Sequence, residues 1–150
     1  MKTVKFDDLS AADRDLVAQA IEVREKAHAP YSNYKCGAAL RDDRNRIHVG
    51  INVETLDMTL TTHAEMDAIN CMVRSGSLKL EALAVAVHSA DGYAFPCGLC
   101  RQKIREFAVG DHARILAVAV DAHNQVLSLA ATTIGELYPQ PFTPESLPPS

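Results

Sequence analysis

Leu83-Ala84-Val85-Ala86-Val87 is a short, nearly all-apolar run, and Ile115-Leu116-Ala117-Val118-Ala119-Val120 is another. Runs of this kind suit strands buried on both faces, which means helices must cover the sheet on either side. Between them, after Pro96, residues 98–107 can form a helix. Upstream, residues 63–74 read as a second helix, with Ala64, Ala68, Cys71 and Met72 on one face and Gly76 as a stop signal. Two extended segments at 35–41 and 46–53 precede it, separated by the polar turn Asp42-Asp43-Arg44-Asn45. Near the start, Ser10 is an N-cap and Asp13 takes the favourable third position. Leu16, Ala20, Val23 and Ala27 then recur at helical spacing, so 11–27 reads as an amphipathic helix ended by Pro30. Downstream, a last strand near 125–131 leads into a helical turn at 133–137. The tail from about 139 holds five of the seven prolines and reads as extended or loose. There is no repeat and no internal linker. Helices alternate with strands around one sheet, giving one three-layer α/β/α domain over 1–150.

A chain of 150 residues can bury a core without disulfide support. Its 47% hydrophobic and 23% charged residues are the balance of an ordinary globular protein. Fifteen basic against nineteen acidic side chains offer no obvious face for phosphate backbones, so nucleic acid is not the expected partner. Residues 1–10 are partly acidic and carry no apolar run, and no stretch approaches eighteen apolar residues, so neither a signal peptide nor a membrane span is expected. Four cysteines in that setting point to a reducing compartment, the cytoplasm. There, close cysteines are more often metal ligands or catalytic groups than disulfides.

The chemistry is concentrated in His63-Ala64-Glu65 and Pro96-Cys97-Gly98-Leu99-Cys100. A Cys-x-x-Cys in the first turn of a helix can place both sulfurs on one metal, and the positive helix end favours the thiolate form. Taken alone, the pair is open to three readings: redox-active, half of a structural zinc site, or two buried thiols. A closed structural site needs four ligands, and no second Cys-x-x-Cys exists because Cys36 and Cys71 stand alone. A thioredoxin-like pair belongs early in a βαβ unit, whereas this one comes late. His63 alone reads as a surface residue or cap, and Glu65 alone as a solvated helix residue. Together, His63, Cys97 and Cys100 make three ligands with a fourth position left for water, and Glu65 is a carboxylate beside it able to move protons. His-x-Glu followed by Pro-Cys-x-x-Cys is the signature of zinc deaminases.

Several deaminase branches share that signature, and four further stretches narrow it. Pro30-Tyr31-Ser32-Asn33-Tyr34-Lys35-Cys36-Gly37-Ala38-Ala39-Leu40 resembles the Pro-Tyr-Ser-x-Phe-x-Val-Gly-Ala-Ala-Leu stretch of cytidine deaminases. Gly50-Ile51-Asn52-Val53-Glu54, the segment from Pro96 to Gln102, and Glu136-Leu137-Tyr138-Pro139-Gln140-Pro141-Phe142 resemble three more segments of that family, in order. The resemblance implies a mixed five-stranded sheet, one Zn2+ per subunit, and hydrolysis of cytidine or deoxycytidine to the uridine product and ammonia. It further implies that Asn52 and Glu54 hydrogen-bond the ribose 3′-hydroxyl, that Tyr34 packs on the pyrimidine, and that Phe142 is a ring offered by a neighbouring subunit of a homotetramer with shared sites. The chain departs from the family at Tyr34 for Phe, Cys36 for Val, Thr55 for Asn, and at the bulky Phe95. Two alternatives stand beside this reading: a deaminase of a modified aminopyrimidine nucleoside or other aminated heterocycle, and a non-catalytic zinc-binding protein used for assembly or sensing.

Overall fold

The two apolar runs lie side by side at the centre of the sheet. A computed structural model describes residues 2–89 and 92–149. In it, β4 (Leu80–His88) and β5 (Arg114–Val120) pair in parallel, with Val85 opposite Ala117. Their side chains alternate between two cores. Leu83, Val85 and Val87 join Ile69, Met72, Cys100 and Ile104 on one face, while Ala82, Ala84 and Ala86 meet Leu16, Val17 and Ala20 on the other. Both faces are therefore dry, which is why neither strand alternates with polar residues. A parallel pair needs a crossover, and α3 (Gly98–Phe107) supplies it.

Four more strands flank this pair. The order is β1 (Lys2–Thr3), β6 (Val126–Thr133), β5, β4, β2 (Cys36–Asp42), β3 (Ile47–Ile51). Every neighbouring pair except β4–β5 is antiparallel, so the sheet is mixed. α1 (Ala11–Arg24) covers one face, α2 (Ala64–Arg74) and α3 cover the other, and the short α4 (Ile134–Leu137) follows β6. The three-layer α/β/α architecture is as expected, but among the described residues the sheet has six strands instead of five. The extra one, β1, is two exposed residues long and pairs Lys2 with Ala131 and Thr3 with Ala130. No period can be read in two residues; only the open edge of β6 makes them a strand.

Smaller differences have local causes. The N-cap at Ser10 is as expected, its hydroxyl accepting from the Asp13 N–H at 3.1 Å. The helix ends at Arg24, well before Pro30, because Lys26 and Ala27 donate to carbonyls three residues back and tighten the chain out of the α-helix. β3 stops at Ile51, and Asn52 and Val53 instead bond to His28 and Thr62 on adjoining segments. The tail is not loose throughout: residues 144–146 form a 3-10 turn, and Gln102 pairs with the Phe142 backbone through both amide groups.

One close contact sets where α2 begins. A Cβ on Gly50 would lie 2.3 Å from both the Ala64 carbonyl and the Ala68 N–H, so only glycine lets α2 lie directly on β3. Asp67, in the first turn of α2, accepts from the Ile51 N–H at 3.1 Å and ties the same two elements together.

Candidate metal centre and substrate cavity

His63 and Cys97 are the N-cap residues of α2 and α3, and neither uses its side chain to cap its helix. Imidazole and thiol are left free to face one another. The His63 Nδ1 lies 3.3 Å from the Cys97 Sγ and 3.3 Å from the Sγ of Cys100, one turn into α3. The three donor atoms all lie within 4.8 Å of one another, the one such group of His, Cys, Asp or Glu among the described residues. Two helix N-termini converge there, and their positive ends favour thiolate. Cys100 is fully buried; burial pushes its thiol far up, and the nearby charges of Glu65 and Cys97 add to the effect. A cation between the sulfurs removes that penalty, because a coordinated thiol is deprotonated outright. One imidazole and two thiols are a donor set that zinc accepts, with a fourth tetrahedral position remaining.

Beside the cluster opens a cavity of about 330 Å³ lined by His63, Glu65 and Cys97 together with Tyr34, Asn52 and Glu54. Its volume falls within the range for small-molecule sites. Glu65, the second residue of α2, is only 5% exposed. Of the residues predicted from sequence, Phe142 alone lies elsewhere. It is 60% exposed and lines a separate groove with Gln102 and Arg105.

Asn52 and Glu54 are both buried, and each grips the loop between α1 and β2. Asn52 donates to the Tyr34 carbonyl at 2.7 Å and accepts from the Cys36 N–H at 2.8 Å. Glu54 accepts from the Tyr31 N–H at 3.0 Å and the Ser32 N–H at 3.2 Å on one oxygen, and from the Ser32 hydroxyl on the other. Those bonds, the Ser32 hydroxyl first, hold its carboxyl below the ordinary range although burial opposes them. Burial, with smaller contributions from Cys36 and Glu65, raises the Tyr34 phenol. Sequence reasoning gave no part to Ser32, Met58 or Thr61, which also line the cavity, nor to Arg101. Arg101 donates to the Pro96 carbonyl at 2.7 Å and the Leu137 carbonyl at 3.2 Å, holding the turn that presents Cys97. The partners of Ser32 and Arg101 are up to 36 residues away, and no local pattern announces them.

With this geometry in hand, the likenesses to known proteins are consistent. Residues 10–113 match the cytidine and deoxycytidylate deaminase zinc-binding region. A cytidine deaminase of Sporosarcina psychrophila is 36% identical over 132 residues, covering 88% of this chain and 92% of the relative. One from Halalkalibacterium halodurans is 32% identical, covering 88% of this chain and 95% of the relative. The crystal structure of cytidine deaminase from Burkholderia pseudomallei superposes with a TM-score of 0.78 at 30% identity, over 89% of this chain and 100% of that one. The matched region contains both halves of the His-Cys-Cys cluster and the cavity wall between them, so the chain belongs to the cytidine and deoxycytidylate deaminase family.

Proposed function

We propose that this chain is a zinc-dependent hydrolase that converts cytidine or deoxycytidine to the corresponding uridine nucleoside and ammonia. The observation that carries the reading is the meeting of three metal-binding donors with a buried carboxylate in one cavity. His63, Cys97 and Cys100 would hold one zinc per subunit. A zinc ion there supplies Lewis acidity, which makes water a competent nucleophile at neutral pH. Glu65 stands outside the donor set, accepts the proton that water loses and delivers it to the departing amine. Tyr34 and Phe95 offer rings on the cavity wall against which a pyrimidine can lie.

Asn52 and Glu54 are assigned to the sugar. Glu54 is buried and ionised with an acceptor site still open beside its bonds to the loop, which favours a ligand carrying a hydroxyl donor over one without it. The chain forms a single domain and assembles as a homotetramer in which Phe142 reaches a neighbouring cavity. In support, Phe142 lies outside the cavity of its own chain, Met58 on the cavity wall is half exposed, and Leu56 and Leu60, two residues to either side of it in the chain, are exposed apolar side chains. Four unpaired thiols suit the cytoplasm. No helix among the described residues is long and apolar enough to cross a membrane.

The test is an absorbance assay with cytidine and deoxycytidine on protein whose zinc has been measured by elemental analysis. Turnover of a nucleoside with about one zinc per chain is expected. Full zinc with no turnover of either would make the chain a non-catalytic zinc protein. Equal efficiency on free cytosine would move it to the base deaminases.

A further inference from the structure

The loop between α1 and β2 is held by a chain of hydrogen bonds whose central atom is the Ser32 Oγ. That hydroxyl donates to the Glu54 Oε1 and accepts from the Tyr34 N–H at 2.9 Å. A hydroxyl has one hydrogen, so with the Tyr34 N–H as donor its own proton is committed to Glu54. The loop turns at Asn33, which adopts a φ of 57°, and is closed on its far side by Asn52 bonding to Tyr34 and Cys36. Ser32, Tyr34, Asn52 and Glu54 all line the cavity.

Counting acceptor sites on Glu54 gives the loop a function. An ionised carboxylate offers about four lone-pair sites. Two on Oε2 are taken by the Tyr31 and Ser32 N–H groups, and one on Oε1 by the Ser32 hydroxyl. One acceptor site on Oε1 remains for a ligand, and the bond from Ser32 fixes its direction. We infer that Ser32 is a positioning residue for substrate selection: it aims the last free acceptor of Glu54 at a single sugar hydroxyl and couples that aim to the placement of Tyr34. The inference rests on the reading of Glu54 as the residue that binds the sugar hydroxyl.

Without the Ser32 hydroxyl, Oε1 has two open acceptor sites, no fixed direction, and a Tyr34 N–H left without its partner. Water then competes for the carboxylate. The loss falls on binding of the hydroxylated sugar, whereas the metal donors and Glu65 lie on other elements and are not disturbed.

The experiment compares deoxycytidine with 2′,3′-dideoxycytidine, which lacks only the 3′-hydroxyl, on wild type, Ser32→Ala, Ser32→Cys and Ser32→Thr. For Ser32→Ala we expect KM for deoxycytidine to rise about tenfold, the usual scale for a lost bond to a charged group, with kcat nearly unchanged. KM for the dideoxynucleoside should rise only by what the loosened Tyr34 costs, a smaller factor, so the preference for the 3′-hydroxyl narrows. Ser32→Thr keeps the donor and should keep the preference. Ser32→Cys, a weak donor of similar shape, should fall between, and it carries the test if the Ala variant does not fold. Equal losses on both substrates, or an unchanged preference in the Ala and Cys variants, overturns the inference while leaving the nucleoside reading intact. A wild type indifferent to the 3′-hydroxyl overturns the reading of Glu54 and this inference with it.

Discussion

Cys97 and Cys100 differ in exposure but share one imidazole nitrogen at 3.3 Å each, and in the proposed site each would supply one of three protein donors to the metal. Two donors do not hold zinc as three do. Cys97→Ala and Cys100→Ala should each lose the metal on dialysis, and full zinc in both by elemental analysis would refute the site. Glu65 makes a different prediction because it is not one of the converging donors. Glu65→Gln is nearly isosteric, so the protein should fold and retain zinc while kcat falls at least about a hundredfold, the low end for a general acid–base group. A loss of only a few fold would mean that protons travel by another route.

At the scale of elements, the site depends on how closely α2 sits on β3. A methyl at Gly50 would meet the Ala64 and Ala68 backbone at 2.3 Å, and a helix backbone cannot turn aside as a side chain can. Gly50→Ala should cost about 1–3 kcal/mol of stability. By moving His63 and Glu65 away from α3, it should also lower kcat by tenfold or more, since a misplacement of about 1 Å can cost a hundredfold. Thermal melts and zinc content measured together would separate the two effects. The neighbouring hairpin has its own pivot in Asp42, which is fully buried and bonds to the His48 Nε2 at 3.0 Å, the Arg46 Nε at 3.0 Å, and the backbone N–H groups of Arg44 and Arg46. Burial works against its charge, but these bonds outweigh it and hold the carboxyl well below the ordinary range. A carboxyl depressed in the folded state stabilises above its unfolded pKa, and that contribution fades as pH falls toward the folded value. Asp42→Asn should therefore be destabilised by about 1–3 kcal/mol at neutral pH. Its deficit relative to wild type should shrink below about pH 4, near the unfolded pKa. Urea melts between pH 7 and 3 give the comparison; a constant deficit would show that the charge contributes nothing.

For the whole molecule, the decisive residue is the one that its own chain keeps outside the cavity. If Phe142 serves a neighbour, Phe142→Ala should raise KM several-fold while zinc and folding are kept. Subunits of Phe142→Ala and Glu65→Gln, mixed, allowed to exchange and assayed below KM, should then recover activity beyond the sum of the two, because a mixed site built on the Phe142→Ala chain keeps its own Glu65 and draws an intact ring from the Glu65→Gln chain. Size-exclusion chromatography with light scattering should report a tetramer. A monomer, or no recovery on mixing, would confine Phe142 to packing against α3.

Sequence alone determined whatever depends on neighbours along the chain. The all-apolar runs at 83–87 and 115–120 require cover on both faces whatever their partners, so the layered α/β architecture follows from them. Ser10 as a cap needs only the N–H of Asp13, three residues on. The motif at His63 and Glu65 and the Cys-x-x-Cys pair were legible because each half places its groups within a single helical turn. Tertiary structure decided whatever requires two distant segments to meet. It made a strand of Lys2 and Thr3, which have no pattern of their own, because β6 presents an unpaired edge. It brought His63 against Cys97 across 34 residues by seating α2 on Gly50, and it turned Ser32 from a loop residue into the donor that orients Glu54. The physical reason is common to all three. Local patterns state which groups a segment must bury or cap, but a hydrogen bond or a ligand set between segments exists only once packing has fixed the distance between them.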